Sequence, residues 1–414
     1  MKRFFTGPVR EGCYHLHFFL TALSSCAYGS FLNVYLGDLG YGAMVIGLFS
    51  TVPSLLGLLL QPLLAAWTDR TRRKMGAMAC LTAVSAGAMA LMLLLRPRYG
   101  PDSFSAGVLM AVHTGYLAFS GAANALNTAV LMRHLSAQGA SDRYGRIRVS
   151  WTAGFAVGGV WVGRISQAAP AGFIPFAVAA ALLSLAVLPL LPWRQVERLR
   201  AAESGPKGRV SFRSLMGYRE LWCLTGIVFM IALANSFTYT FLPTFFMTLP
   251  GADNEAFGWC ISLRTVTEVP VLLGMGWIMG RLGVKKTLLI PAVSTVIRWL
   301  LVALFPTPGV VLATQLLHGF GYVVYSVAMT RYVADTLPDA IGGTAQNLVA
   351  LLTVTLPTLA GGLLGGLVIE TWGLGYMACI GGMIALDILA LAALIVLLLR
   401  RPDDACEKDK GMIG

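Results

Sequence analysis

Glu268 stands midway along an apolar run, where a carboxylate costs about 2.5–3.5 kcal/mol on insertion scales unless it faces a cavity or a partner. Arg264 lies one turn earlier, on the same face of a helix. Arg298 and His318 add two ionisable groups in the same half of the chain. A desolvated carboxylate beside a movable cation can take up and release a proton as a protein changes state. That chemistry is proton coupling, with Glu268 as the carrier and Arg298 and His318 tuning it. The same residues also fit a structural salt bridge from Glu268 to Arg264 or Arg298. His318, Tyr322 and Tyr325 recur at helical spacing and share a face, although a lone helical histidine is often a packing residue.

Other chemistries find little support. Gly280 to Thr287 approaches a phosphate-binding loop, but Lys285 takes the place of its second glycine, so no ATPase is implied. The cysteines at 13, 26, 80, 223, 260, 379 and 406 are odd in number and lack metal-ligand or redox spacing. Neither zinc nor a disulfide framework follows, and no cofactor is expected. The loops hold no Ser/His/Asp or Cys/His arrangement, which argues against an enzyme. The remaining polar groups with cavity-lining potential are Asn33 and Tyr28, Asn235 and Tyr239, and Asn347.

The elements that must hold these side chains are apolar helices. With 57% hydrophobic and 12% charged residues and a mean hydropathy of +0.72, the chain has more apolar surface than a soluble domain could hide. Runs of about 20 apolar residues, the length that spans a bilayer, predict twelve transmembrane helices near 14–36, 45–67, 75–95, 105–132, 147–168, 172–192, 221–246, 256–279, 287–305, 309–333, 343–369 and 375–399. The first carries Asn33 and Tyr35 and reads as a retained span rather than a signal peptide.

The net charge of +12 is distributed by topology. Lys and Arg crowd 2–10, 70–74, 133–143, 194–219, 281–286 and 400–410, and are absent from 37–44, 250–255, 306–308 and 370–374. This positive-inside pattern places both termini and the 194–219 loop in the cytoplasm, and favours a lipid bilayer over a nucleic acid as partner. A plasma membrane, the bacterial inner membrane, is the expected location.

Two stretches, Gly47 to Lys74 and Gly258 to Lys285, align without a gap about half a chain apart, each an apolar helix closing in a basic turn. The organisation expected is therefore two pseudo-symmetric six-helix bundles, 1–193 and 220–399, with a flexible linker at 194–219 and a cytoplasmic tail at 400–414. Glycines 154, 158, 159 and 163 in the fifth segment echo glycines 361, 362, 365 and 366 in the eleventh, a spacing that lets helix backbones approach. Repeated halves give a natural means of opening alternately to either side.

Asp69-Arg70-Thr71-Arg72-Arg73-Lys74 resembles the loop signature of the major facilitator superfamily. Tyr144-Gly145-Arg146-Ile147-Arg148, Thr267-Glu268-Val269-Pro270 and Leu317-His318-Gly319-Phe320 are similar to its lactose-permease-like and phenylpropionate-permease-like branches. The resemblance implies that Asp69, Arg70 and Arg73 form a cytoplasmic charge latch, although the basic residues also suit loop anchoring. The second repeat has Gly280 where Asp69 stands. By the same resemblance Arg148 and Phe155 contact substrate, with Asn127 in place of a missing helix-4 acid, and His318 belongs to the proton site. Gly321 replaces the acid that would complete the relay. Gly159 also stands where drug/proton antiporters carry proline, which disfavours multidrug export.

The function expected is proton-coupled uptake of a small polar or anionic organic solute (sugar, nucleoside or aromatic acid) by a monomer. Arg148, Phe155, Asn127, Asn33, Asn235 and Tyr239 would serve the substrate. An exporter or uncoupled facilitator is the alternative within transport, and a membrane-embedded enzyme or a sensor lies outside it.

Overall fold

Apolar runs punctuated by glycine, proline and basic turns fold as helices throughout. The computed structural model describes residues 7–71, 73–95, 102–136, 138, 140, 143–191, 193 and 215–400. Among them are α1 (Gly7–Asp38), α2 (Ala43–Arg70), α3 (Lys74–Leu94), α4 (Ser103–Ser136), α5 (Tyr144–Ala168) and α6 (Phe173–Leu190). The second group is α7 (Arg219–Thr240, continued by Leu242–Met247), α8 (Asn254–Thr287), α9 (Leu289–Leu304), α10 (Pro308–Thr336), α11 (Ile341–Thr371) and α12 (Gly375–Arg400). Most of the expected linker, at 194–214, together with Arg72 and the tail at 401–414, lies outside the described residues.

Nine of these helices are long and apolar enough to cross a membrane, among the described residues. The others fall short for identifiable reasons. The α9 helix has only 16 residues. The apolar stretch of α1 is interrupted by Ser24, Ser25, Ser30 and Asn33, and α5 includes Arg146, Arg148 and Arg164. Both are shielded by protein: α1 packs between α5 and α6, and α5 packs between α1 and α8.

Helix irregularities follow from single residues. Pro243 cannot donate to the preceding turn, and α7 breaks beside it at Phe241. A wide π turn at Leu351–Thr355 in α11 directly precedes Pro357. The α8 helix runs on through the basic turn that the sequence placed beyond its end, bending at Gly283, whose φ of 72° suits glycine. Asp253 caps its start by accepting from the Ala256 N–H at 2.7 Å.

The paired glycines place the helices. In α5, Gly154 faces the Phe19 carbonyl and Gly158 faces Cys26, both on α1 of the same group. Gly159 and Gly163 face α8 of the other group, where added Cβ atoms would lie 2.7 Å from the Gly258 and Asn254 carbonyls. The α11 helix repeats the division: Gly361 and Gly365 face Ser236 and Phe241 of α7, whereas Gly362 and Gly366 face Gly47 and Met44 of α2. Each quartet therefore binds one neighbour within its group and one across the molecule.

Contacts across the molecule gather at the end carrying the 37–44, 250–255 and 370–374 loops. One aromatic core there includes Phe31, Phe49 and Phe173 from the first group with Phe237, Phe246, Phe257 and Trp299 from the second. The Thr51 hydroxyl donates to the Leu359 carbonyl (2.9 Å), Ser262 to Ala156 (2.6 Å), and the Met44 N–H to the Glu370 carboxylate (2.7 Å). Arg164 pairs with Glu255 at 2.9 Å. The two other large cores, around Tyr14, Leu81 and Leu131 and around Leu224, Val228 and Val333, stay within one group each.

Candidate functional site

The second helix group brings five of the expected residues together, and three of them, Asn235, Arg298 and His318, are buried. Arg298 of α9 and His318 of α10 are each 1% exposed. The Arg298 guanidinium donates to the Asn235 amide oxygen of α7 (3.4 Å), to Nδ1 of His318 (3.2 Å) and to Oε1 of Gln315 (3.3 Å). An arginine has no acceptor to offer, so Nδ1 must carry its lone pair and the ring proton sits on Nε2. That nitrogen faces the Tyr239 hydroxyl at 3.3 Å and the Glu268 carboxylate at 3.8 Å.

Glu268 forms the exposed edge of the cluster, its side chain 32% accessible. Arg264, one turn away on α8, lies over the Tyr239 ring at 5.1 Å rather than in a hydrogen-bonded pair with Glu268, a cation–π contact that fixes the tyrosine. Tyr322 stacks on His318 with ring centroids 6.4 Å apart. From the first group, Arg148 of α5 lies within electrostatic reach of both Glu268 and Tyr322. It is partly exposed and rests over the Trp151 ring at 5.1 Å. Carboxylate, imidazole and three guanidinium groups thus lie within electrostatic reach of one another, with Arg148, near the start of α5, and Glu268 contributed from opposite groups.

The other expected residues lie around this centre in different settings. Asn33 is buried and donates to the Tyr239 and Thr240 carbonyls at 3.3 and 2.9 Å, a tie between the groups. Asn127 is buried within the first group, its Oδ1 without a hydrogen-bond donor. Phe155 is half-buried against the shared aromatic core. Asp69, Arg70 and Arg73 are exposed around the α2–α3 turn, where Lys74 donates to the Thr68 carbonyl. In the second repeat, Lys285 pairs with Glu220 of α7 at 2.5 Å. An acid supplied by another helix thus engages the basic turn where Gly280 replaces Asp69.

Three participants escaped the sequence reading: Gln315, Trp151 and Asp387 of α12. Asp387 was legible in principle as the lone acid in the long apolar α12 run. Gln315 carried no such signal, because a glutamine beside an arginine partner is recognisable only once α9 and α10 are packed.

The likeness to known proteins agrees with this architecture. The model of the MFS_1-like family matches residues 13–377. The maltose permease of Geobacillus stearothermophilus is 25% identical over 371 residues, covering 88% of this chain and 89% of the relative. Sugar efflux transporter A of Dickeya chrysanthemi is 24% identical over 388 residues, covering 91% and 92%. A solved mutant form of the nucleoside transporter NupG superposes with a TM-score of 0.81 at 15% identity, covering 93% of this chain and 99% of that one. With a helical fold of this kind and a family model spanning most of it, the chain belongs to the MFS_1-like family of major facilitator superfamily transporters, and is a membrane transporter rather than an enzyme.

Proposed function

We propose that this transporter carries a small polar or anionic organic solute inward together with a proton, by alternating access between α1–α6 and α7–α12. The observation that carries the reading is the Glu268–His318–Arg298 set, a partly exposed carboxylate backed by a buried imidazole and a buried cation. Movement of Arg148 relative to Glu268 as the groups rock would change the charge around that carboxylate, which is what a proton carrier requires. Two arginines beside one acid favour an anionic or hydroxyl-rich substrate. Sugars, nucleosides and aromatic acids fit that chemistry, and the similar proteins include a maltose permease and a nucleoside transporter.

The positive-inside pattern would put the basic turns in the cytoplasm of a bacterial cell. Closed contacts at the other end then make this an inward-open state, with Asp69, Arg70 and Arg73 released from their latch. We take the working unit as a monomer.

The test is the external pH of weakly buffered, de-energised cells given pulses of maltose, uridine and 3-phenylpropionate. Alkalinisation on one of them, absent with Glu268→Gln, is the expected result. Flux that ignores imposed pH gradients would overturn proton coupling. Outward transport is the second reading, favoured by the similarity along 91% of the chain to a sugar efflux transporter. It predicts acquired resistance to, and energised extrusion of, a toxic sugar analogue.

A further inference from the structure

Beside the site just described, on the α12 helix that packs against α9, a second carboxylate, Asp387, lies within electrostatic reach of Arg298. The buried stripe of α12 is Ile380, Met383, Asp387, Ala390 and Leu394, spaced three and four residues apart, so Asp387 occupies a core position between apolar neighbours. It is 0% exposed, and neither carboxylate oxygen receives a hydrogen bond. A buried carboxylate in that state is costly as an anion unless a proton or a cation neutralises it.

The helices packed on α12 supply little else. From α9 come the Thr295 hydroxyl, which is committed to the Pro291 carbonyl at 2.7 Å, and the Arg298 charge. The α7 helix meets α12 with apolar side chains, among them Ile227, Ile231 and Phe237. On α12 itself the nearest titratable group is Cys379, two turns toward the 370–374 loop, with Tyr376 a turn beyond; at that loop Glu370 is held by the Met44 N–H. Arg298 is thus the charge facing Asp387, yet its hydrogen bonds go to the neutral acceptors of Asn235, His318 and Gln315, while its Nε stays unpartnered.

We propose that Asp387 is a second proton-binding carboxylate, linked through Arg298 and His318 to Glu268 at the cavity. The inference rests on the proton-coupled reading above and deepens it. With a proton on Asp387, Arg298 turns to His318 and Gln315, as seen here. When that proton leaves, the carboxylate draws the guanidinium toward α12 and frees Nδ1 of His318 to accept it, while Nε2 passes its own proton to the Glu268 carboxylate. Two arrangements of one arginine would then join the proton's state to the shape of the cavity wall.

Infrared difference spectra between acidic and alkaline buffer, recorded on the full chain in lipid, decide the matter without a substrate. A protonated-carboxyl carbonyl band that disappears in Asp387→Asn and moves in Asp387→Glu is expected. Spectra that agree with the unmodified protein in that region for both variants would overturn the proposal. If Asp387→Asn fails to insert, the Asp387→Glu spectrum alone carries the decision. In vesicles, Asp387→Asn should lower accumulation driven by a pH gradient by about tenfold or more while sparing counterflow. Uniform loss of both would mark a structural residue instead. A transporter that alkalinises its medium with none of maltose, uridine and 3-phenylpropionate would defeat the symport reading, while the infrared bands would still judge Asp387 on their own.

Discussion

Arg298 is the residue on which the others converge. It is a buried cation whose hydrogen-bond acceptors are all neutral, so the loss of any one acceptor leaves donors unsatisfied in a dry setting. Gln315→Leu should therefore lower thermal stability by about 1–3 kcal/mol, read as a reduced unfolding midpoint in detergent. Glu268→Gln sits at the exposed edge and should leave that midpoint nearly unchanged. Its expected effect is loss of uphill accumulation with exchange preserved, and accumulation that persists at full strength would remove Glu268 from the proton path. The sequence announced this site through charge in apolar runs, which is why Glu268, Arg298 and His318 were visible. It did not reveal that Arg264 would stack on Tyr239 instead of pairing with Glu268, since Tyr239 belongs to α7 and reaches Arg264 only once the helices have packed.

At the scale of elements, the glycine quartets of α5 and α11 were legible as close-packing devices, but their division of labour was not. Which glycine faces which helix depends on the rotation of each helix about its axis, and a repeat in sequence does not fix that angle. The structure turns Gly159 and Gly163 onto α8, with Gly362 and Gly366 turned onto α2. A methyl group at Gly159 would press on the Ser262 hydroxyl at 2.5 Å and on the Gly258 carbonyl at 2.7 Å, and the carbonyl is backbone that cannot rotate away. Gly159→Ala should cut transport by about tenfold, the effect of a coupling term of 1–3 kcal/mol between closure and function. Gly145→Ala, where a Cβ meets nothing within 4 Å, is the matched control and should transport normally. Equal activity of the two variants would show that tight α5–α8 contact is dispensable.

For the whole molecule, every hydrogen bond and ion pair named above between the two groups lies at one end, so the closed end works as a set of releasable ties. Arg164–Glu255 is exposed and is worth about 0.2–1 kcal/mol, enough to bias the state without locking it. Glu255→Gln should shift the balance slightly toward opening at that end, seen as faster labelling of a cysteine placed near Phe257. Cysteines at positions 164 and 255 in a background lacking the native ones should cross-link on oxidation and halt transport, with reductant restoring it. Undiminished flux after complete cross-linking would exclude separation at this end as part of the cycle.

The low apolarity of α5 has a further consequence for how the protein is made. A ribosome delivers helices one at a time, and α5 arrives carrying Arg146, Arg148 and Arg164 before α8 exists to cover its far side. Left alone in lipid it would be a poor guest. Its earliest companion is α1, already synthesised and the helix that packs along its glycine face in the finished fold. Biogenesis should then hold α1 beside the insertion machinery until α5 emerges, and deleting α1 should strand α5 outside the bilayer even though its own sequence is untouched.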